Sequence, residues 1–182
     1  MITAILIIIS IILLFTIFWQ GSLLIATIIG SPVVYSNKKA VVDCMKLAGA
    51  EKEDLVIDLG CGSARTLITA AQRFGIKGVG VDRSLYCFLR SKMNVILSGQ
   101  GKNIQIIWGD FHKAEAYLKK ADIVYLYLLN TTLAQIEEWL FSAVGDKTKI
   151  VSLAFLFKKH QSVAEADTFT LGKTTKARLY KR

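Results

Sequence analysis

The sequence predicts an α/β domain with a doubly wound, mostly parallel sheet, preceded by one long apolar helix. Two observations support this prediction: short apolar runs alternate with helical patterns from residue 38 onward, and residues 2–29 contain no charged side chain. Strands that alternate with helices form right-handed crossover units, in which neighbouring strands run parallel. With 53% hydrophobic and only 20% charged residues, the chain does not have the composition of a disordered protein.

Residues 2–29 form an apolar segment in which Gln20 is the only strongly polar side chain. A helix of this length would measure about 42 Å, and the hydrocarbon core of a bilayer is roughly 30 Å thick. The segment lacks the leading basic residues of a secretory signal peptide and is too long to be one. We therefore expect an uncleaved transmembrane anchor over residues 1–30, followed by a second domain over residues 31–182.

The distribution of charge predicts how this anchor is oriented. All 23 basic and all 14 acidic residues follow residue 37, and Lys38, Lys39 and Lys46 come soon after the anchor. Under the positive-inside rule, this predicts a single-pass membrane protein whose C-terminal domain lies on the cytoplasmic side, or on the equivalent side of an organelle. Three cysteines without a paired spacing argue against a disulfide scaffold and agree with a reducing compartment.

Five strands and five helices are predicted in alternation within the second domain. The apolar runs place strands at 55–59, 77–81, 104–108, 122–128 and 149–155, and the helical patterns cover 38–47, 66–74, 85–97, 114–118 and 133–144. Residues 168–171 and 177–180 flank Gly172 and predict a closing antiparallel hairpin. Ligands of doubly wound sheets bind beyond the carboxyl ends of the strands, so the residues that follow each strand are the candidate site.

Carboxylates and glycines follow the first three predicted strands. Glycine permits a tight turn and a close approach of the backbone to a ligand, which suits Gly60 and Gly62 after the first strand. A carboxylate at Asp82 suits a ribose diol, and one at Asp110 suits an adenine amino group. S-adenosylmethionine has no phosphate and carries a cationic sulfonium, which Asp58 suits either directly or by fixing the amides of the loop. The set as a whole indicates a nucleoside cofactor.

On these residues the chain resembles the class I S-adenosylmethionine-dependent methyltransferases. Asp58-Leu-Gly60-Cys-Gly62 looks like their first motif, and Val79-Gly-Val-Asp82 looks like their second. The resemblance implies a Rossmann-like methyltransferase fold and S-adenosylmethionine as the cofactor. It also implies that the cofactor is bound by seven residues: Asp58, Gly60, Cys61, Gly62, Arg65, Asp82 and Asp110.

A narrower resemblance is to a family of small membrane-anchored methyltransferases. That family includes the mitochondrial enzymes that methylate lysines of ATP synthase subunit c and of the adenine nucleotide translocase. The resemblance rests on the uncharged N-terminus, on Arg65 after the glycine loop, and on two segments, Gly30-Ser-Pro32-Val-Val-Tyr-Ser36 and Tyr125-Leu-Tyr-Leu-Leu-Asn130. It implies methylation of a lysine side chain of a membrane protein, with residues 2–29 in contact with the bilayer.

Four residues are candidates to line the acceptor pocket, because an aromatic or apolar pocket lowers the pKa of an amine. They are Tyr35, Tyr127, Asn130 and Phe155, and no general base is assigned among them. Two alternatives stay open at this point. One is methylation of a small membrane-soluble molecule such as a quinone or a lipid. The other is a non-catalytic cofactor-binding module, which is motivated by Ser63-Ala64 where the family usually has Asp-Gly.

Metal and nucleic acid are not expected as partners. His112 and His160 lack further ligands at the spacing of a metal site. The basic C-terminus carries no evident aromatic platform or recognition helix for nucleic acid.

Overall fold

A computed structural model of the protein describes residues 2–28 and 37–182, apart from the side chains of residue 4 and of residues 22–28. The helices are α1 (Ile2–Ile28), α2 (Lys38–Ala48), α3 (Arg65–Phe74), α4 (Leu85–Leu97), α5 (Glu115–Leu118) and α6 (Asn130–Ala143), with a 3₁₀ turn at Phe111–Ala114. The strands are β1 (Leu55–Leu59), β2 (Lys77–Asp82), β3 (Ile104–Trp108), β4 (Ile123–Leu126), β5 (Lys149–Leu153), β6 (Ala164–Thr170) and β7 (Lys173–Lys181).

The seven strands of the described residues form one sheet in the order β3-β2-β1-β4-β5-β7-β6. The first five strands are parallel, and β7 lies antiparallel between β5 and β6. The strand order reverses between β1 and β4, so the carboxyl ends of these two strands open at a topological switch point. The predicted doubly wound sheet with a C-terminal antiparallel hairpin is confirmed.

Two apolar cores cover the two faces of the sheet. One includes Met45 from α2 and Leu67 from α3, both fully buried, and the other includes Leu133 and Leu140 from α6. All four residues of β4 are buried, because the strand is covered on both faces. Such strands are apolar at successive positions rather than at alternate ones. The sequence therefore encodes the central strands as continuous apolar runs and the helices as one-sided patterns.

Helix α1 forms as predicted, but the prediction that it spans a membrane is not supported. Within the described part of the chain, no helix is both long and apolar enough to cross a bilayer. The helix contacts the α/β domain through Trp19, whose ring centroid lies 4.2 Å from that of Tyr86 on α4.

The boundaries of three regions differ from the prediction, and in one of them β5 ends at Leu153 rather than at residue 155. β4 ends at Leu126 and α6 begins at Asn130, because the chain leaves the sheet at once and Leu129 takes the extended conformation of an N-cap. The hairpin strands are longer than predicted, because β7 pairs with β5 on one side and with β6 on the other. The four basic residues of β7 interrupt the apolar pattern from which a central strand would be predicted.

The segment that follows β5 is held by a buried carboxylate, Glu137 of α6. Its oxygens accept hydrogen bonds from the backbone N–H groups of Lys158 at 3.2 Å, Lys159 at 2.7 Å and His160 at 3.0 Å. The His160 Nδ1 also lies 3.0 Å from Glu137 Oε1. Burial alone would raise the pKa of Glu137, but the hydrogen bonds with the His160 ring and the three N–H groups hold it below its usual value.

We predict that Glu137→Gln lowers the free energy of unfolding by about 2–4 kcal/mol at neutral pH, because three backbone donors lose their charged acceptor. The lowered pKa means that this stability is present above about pH 4.5 and is lost as pH falls through the pKa of the folded state. Urea unfolding at neutral and acidic pH measures both effects, and the variant and the wild type should converge in acid.

The neighbouring substitution Glu138→Gln is the control, since Glu138 forms only an exposed ion pair with Lys159. It should leave the unfolding midpoint almost unchanged. Equal losses in the two variants would show that the buried acceptor has no special role.

Candidate functional site

The loop between β1 and α3 turns tightly at two glycines. Gly60 has φ 86° and Gly62 has φ 55°, left-handed values that glycine adopts without steric cost. The backbone N–H groups of Gly60 and Cys61 both donate to the carbonyl of Val81, at 2.8 and 3.1 Å. A Cβ at Gly60 would lie 3.0 Å from Leu128 Cδ2. The loop is thus folded against the ends of β2 and β4 with no space for a side chain at Gly60.

Asp82, at the end of β2, fixes the position of this loop. Its Oδ2 accepts from the N–H of Gly62 and its Oδ1 from the N–H of Ser84, both at 2.9 Å. Burial raises the pKa of Asp82, and the two backbone hydrogen bonds only partly offset that effect. Each carboxylate oxygen has a second lone pair, so Asp82 keeps acceptor capacity for a ligand.

Asp58 lies at the carboxyl end of β1 with 3% of its surface exposed, paired in register with Gly80 of β2 and Tyr125 of β4. Burial raises its pKa to about 8, the negative charge of Asp82 adds to the effect, and a hydrogen bond with Thr66 opposes it. The carboxyl group therefore holds its proton near neutral pH unless a cation lies beside it. Asp58 and Asp82 lie on adjacent strands on either side of the glycine loop, as predicted.

Because Gly80 has no side chain, the glycine loop can pack directly above β2. A Cβ at Gly80 would lie 2.8 Å from the Sγ and 2.9 Å from the Cβ of Cys61. Cys61 is buried, and burial raises the pKa of its thiol well above the usual value. Its thiol is therefore a small packing group, and its contribution to the site is through the backbone.

Two residues that support the loop were missed from the sequence. Thr66 forms the hydrogen bond to Asp58, and Asn94 Nδ2 of α4 donates to the carbonyl of Ser63 at 3.0 Å. Asn94 is half-buried beside the buried Val95, and the local sequence pattern does not distinguish it from the other polar residues of α4. Ala64 takes a left-handed conformation, with φ 60°, at a cost of about 1–2 kcal/mol.

The remaining cofactor candidates lie at the same edge but in different roles. Asp110 is exposed and caps the 3₁₀ turn, its Oδ1 accepting from the N–H of His112 at 3.1 Å. The preceding Gly109 N–H donates to the backbone carbonyl of Asp82 at 3.0 Å, which joins the ends of β2 and β3. Arg65 is the exposed first residue of α3.

Three of the four acceptor-pocket candidates lie together beyond β4 and β5. The ring centroids of Tyr127 and Phe155 are 6.1 Å apart, and both residues are half-buried. Asn130 is exposed, and its Oδ1 accepts a long hydrogen bond of 3.4 Å from the N–H of Leu156. Since Leu59 pairs with Leu126, Tyr127 comes level with Gly60. Tyr35 lies outside the described residues.

The groups at this edge of the sheet are complementary to S-adenosylmethionine. A Cβ at Gly62 would meet no atom within 4 Å, so a ligand can approach the loop backbone from that side. A buried carboxyl at Asp58 is complementary to a cation, and the free lone pairs of Asp82 are complementary to a diol. Among residues 2–28 and 37–182, no three His, Cys, Asp or Glu side chains form a group that could hold a metal.

Comparisons with known proteins point to the same cofactor. Residues 58–164 match the family described as the ANTKMT methyltransferase domain. A "Protein-lysine N-methyltransferase" of Saccharolobus islandicus is 29% identical over 125 residues, which are 68% of this chain and 76% of that protein.

Solved structures share the fold. An RNA methyltransferase from Salinibacter ruber in complex with S-adenosyl-L-homocysteine superposes with a TM-score of 0.74 at 24% identity, over 81% of this chain and 93% of that one. A SAM-dependent methyltransferase from Geobacter sulfurreducens, also with S-adenosyl-L-homocysteine, gives 0.54 at 24% identity, over 63% of this chain and 47% of that one.

We predict that Asp58→Asn stabilises the ligand-free protein increasingly as pH rises from 5 to 8. The folded state keeps the Asp58 proton up to about pH 8, whereas the unfolded carboxyl loses it near pH 3.8. The unfolded state therefore binds fewer protons between these values, and the stability of the wild type falls as pH rises. Thermal unfolding at several pH values measures the difference, with exposed Asp167→Asn as the control. A difference that does not change with pH would contradict the raised pKa.

Proposed function

We propose that this chain, which belongs to the ANTKMT methyltransferase domain family and is a class I S-adenosylmethionine-dependent methyltransferase, methylates a lysine side chain of another protein. The observation that supports this acceptor best is the half-buried pair of rings, Tyr127 and Phe155, level with the glycine loop. The similarity to a protein named as a lysine methyltransferase agrees with it.

The cofactor supplies an electrophilic methyl group on a sulfonium, and the chain's own residues bind and orient it. We assign Asp58 to its cationic part, because a buried carboxyl gains most from a cation. We assign Asp82 to the ribose hydroxyls and the backbone of Gly60, Cys61 and Gly62 to close packing along the cofactor. Asp110 and Arg65 line the same edge, where Asp110 retains one carboxylate oxygen beyond its capping bond.

The acceptor side of the site has to hold a lysine amine without its proton. Tyr127 and Phe155 provide a poorly solvated aromatic surface, which disfavours the ammonium form and lowers the pKa of an amine. Asn130 lies at the rim, and its bond to Leu156 N–H ties α6 to the segment that carries Phe155. In this proposal the aromatic pair orients the amine and excludes water, and the rate depends chiefly on positioning.

We further propose that α1, with residues 1–30 as the anchor and 31–182 as the catalytic domain, holds the enzyme at a membrane. The described apolar side chains of α1 are exposed, for example 58% for Phe15 and 61% for Ile17. Such a surface in a helix without charge favours lipid over water. The lysines that begin α2 favour a cytoplasmic position for the domain, or the equivalent side of an organelle. Membrane proteins are then the acceptors at the highest effective concentration.

We predict that Gly80→Ala weakens binding of S-adenosylhomocysteine by about tenfold or more, because the new methyl group displaces Cys61 and the loop. Cys61→Gly in the same chain removes the two shortest contacts, those with Cys61 Sγ and Cβ, and should restore most of the affinity. Gly78→Ala is the matched control, since the atoms nearest to its Cβ would belong to Leu67 and Ile104 and not to the glycine loop. Calorimetric titration measures all four proteins, and failure of the double variant to recover would contradict this packing.

The acceptor is tested by methyl transfer to membranes that contain the full chain. S-adenosylmethionine labelled on its methyl group is added to membranes with the wild type, Asp58→Ala or Tyr127→Ala. We expect Asp58-dependent label in a protein, recovered as methyl-lysine after hydrolysis. Tyr127→Ala should lower kcat/KM by about tenfold or more with little change in cofactor affinity, and exposed Phe169→Ala serves as the control for loss of an aromatic ring.

Two other outcomes would contradict the lysine proposal. Asp58-dependent label in the organic extract would identify a quinone or lipid acceptor. Absence of Asp58-dependent label from both fractions, with intact cofactor binding, would identify a non-catalytic module.

A further inference from the structure

Helix α4 carries an exposed apolar stripe on the side away from the sheet. Leu89, Met93, Ile96 and Leu97 are exposed by 55%, 57%, 69% and 78%. Their spacing of four, seven and eight residues from Leu89 places them on one helical face. The opposite face is buried against the domain. Side chains of this size are rarely left in water as a contiguous group without a binding role. We call these four residues the α4 stripe.

The apolar surface continues from α4 to the end of β3. The ring of Trp108, 55% exposed, stacks on Phe88 of α4 with centroids 6.3 Å apart. Its Nε1–H donates to the backbone carbonyl of Arg83 at 3.0 Å, so the ring is held in place. A tryptophan with a satisfied N–H and an exposed apolar edge is typical of the boundary between lipid and water.

The charged residues within the segment that carries this surface all have one sign. Residues 83–109, which include α4 and β3, contain no Asp or Glu and four cations: Arg83, Arg90, Lys92 and Lys102. Lys92 Nζ lies 5.4 Å above the Phe88 ring, so its stem covers apolar surface while its charge stays exposed. An apolar stripe bordered by cations is complementary to anionic lipid headgroups over acyl chains.

The α4 stripe is also continuous with the exposed surface of α1. The ring of Trp19 packs at 4.2 Å on Tyr86 in the first turn of α4, and Arg90 Nη1 donates to the Tyr86 hydroxyl at 2.8 Å. Both apolar helices therefore meet at the N-terminal end of α4. That end is capped by Ser84, whose backbone N–H is bound by Asp82 of the cofactor site.

We propose that the α4 stripe, with Trp108 and its bordering cations, rests on the surface of an anionic bilayer and so fixes the orientation of the site relative to the membrane. This inference rests on the proposed membrane association of α1, and it restricts the acceptor to lysines close to the bilayer surface. The packing of Trp19 on Tyr86 links α1 to α4, and the stripe adds a second contact with the membrane that fixes the orientation of the domain.

The contact is tested with nitroxide labels on the full chain bound to phosphatidylcholine vesicles with and without phosphatidylglycerol. Labels at Leu97→Cys, at Phe15→Cys in α1, and at the control Leu171→Cys in the β6–β7 turn are compared. The native cysteines are buried, and unsubstituted protein measures their background. The measured quantity is the ratio of the label's accessibility to oxygen to its accessibility to a nickel chelate. We expect this ratio to rise by about threefold or more at position 97 on anionic vesicles, with no rise at position 171.

Each other outcome has a distinct meaning. Lipid exposure at 15 with continued nickel access at 97 would overturn the inference and leave membrane association of α1 intact. Water exposure at both positions would remove the membrane association and the inference with it. Loss of nickel access at 97 without vesicles, increasing with protein concentration, would show that a second copy of the chain covers the stripe.

A second variant set tests the consequence for the acceptor. Glutamine at all four stripe positions should leave S-adenosylhomocysteine affinity unchanged and lower kcat/KM for vesicle-held acceptors by about fivefold or more, with no change for a soluble lysine peptide. The control places glutamine at three exposed apolar positions away from α4 and from the acceptor pocket: Val163, Phe169 and Leu171. Equal losses on vesicle-held and soluble acceptors would overturn the orienting role.

Discussion

The Asp82 carboxylate, bound at once to the N–H groups of Gly62 and Ser84, is the constraint on which the site depends. It joins the glycine loop after β1 to the first turn of α4, so the loop and the start of α4 are held together. The backbone bonds from Gly60 and Cys61 to Val81 reinforce the same junction. The loop is therefore already ordered in the free protein, so less conformational entropy is lost when a cofactor binds.

Asp58 depends on that arrangement. Its burial raises its pKa, and the adjacent Asp82 charge adds to that effect. Such a carboxyl is poorly stable as an anion until a cation neutralises it, and in our proposal this favours a positively charged ligand over a phosphate. The departure at Ser63-Ala64 leaves this core of the site in place, because the left-handed turn forms at Ala64 and Ser63 is bound through its carbonyl by Asn94.

The sequence predicted the elements and the edge of the sheet that carries the site, because both follow from local patterns. The ranges of α4 and of β3 were predicted correctly, since apolar periodicity and glycine boundaries are local. Ligands of such sheets bind beyond the carboxyl ends of the parallel strands, and this rule alone predicted that Asp58 and Asp82 lie at the same site. Long-range hydrogen bonds leave no such pattern, so the tie from Asp82 to Gly62, the support from Asn94 and the Glu137 anchor became visible only in three dimensions. The apolar run of the N-terminus predicted helix α1 but did not establish that it crosses a bilayer.

Titration of S-adenosylhomocysteine into the wild type and Asp82→Ala, with heat measured directly, tests the central claim most directly. The account predicts saturable binding of one ligand per chain by the wild type. It predicts a loss of about hundredfold in affinity for Asp82→Ala, equivalent to about 3 kcal/mol, because the variant loses both the ribose acceptor and the tie to the loop. Equal affinities in the two proteins, or no binding by a folded wild type, would contradict it.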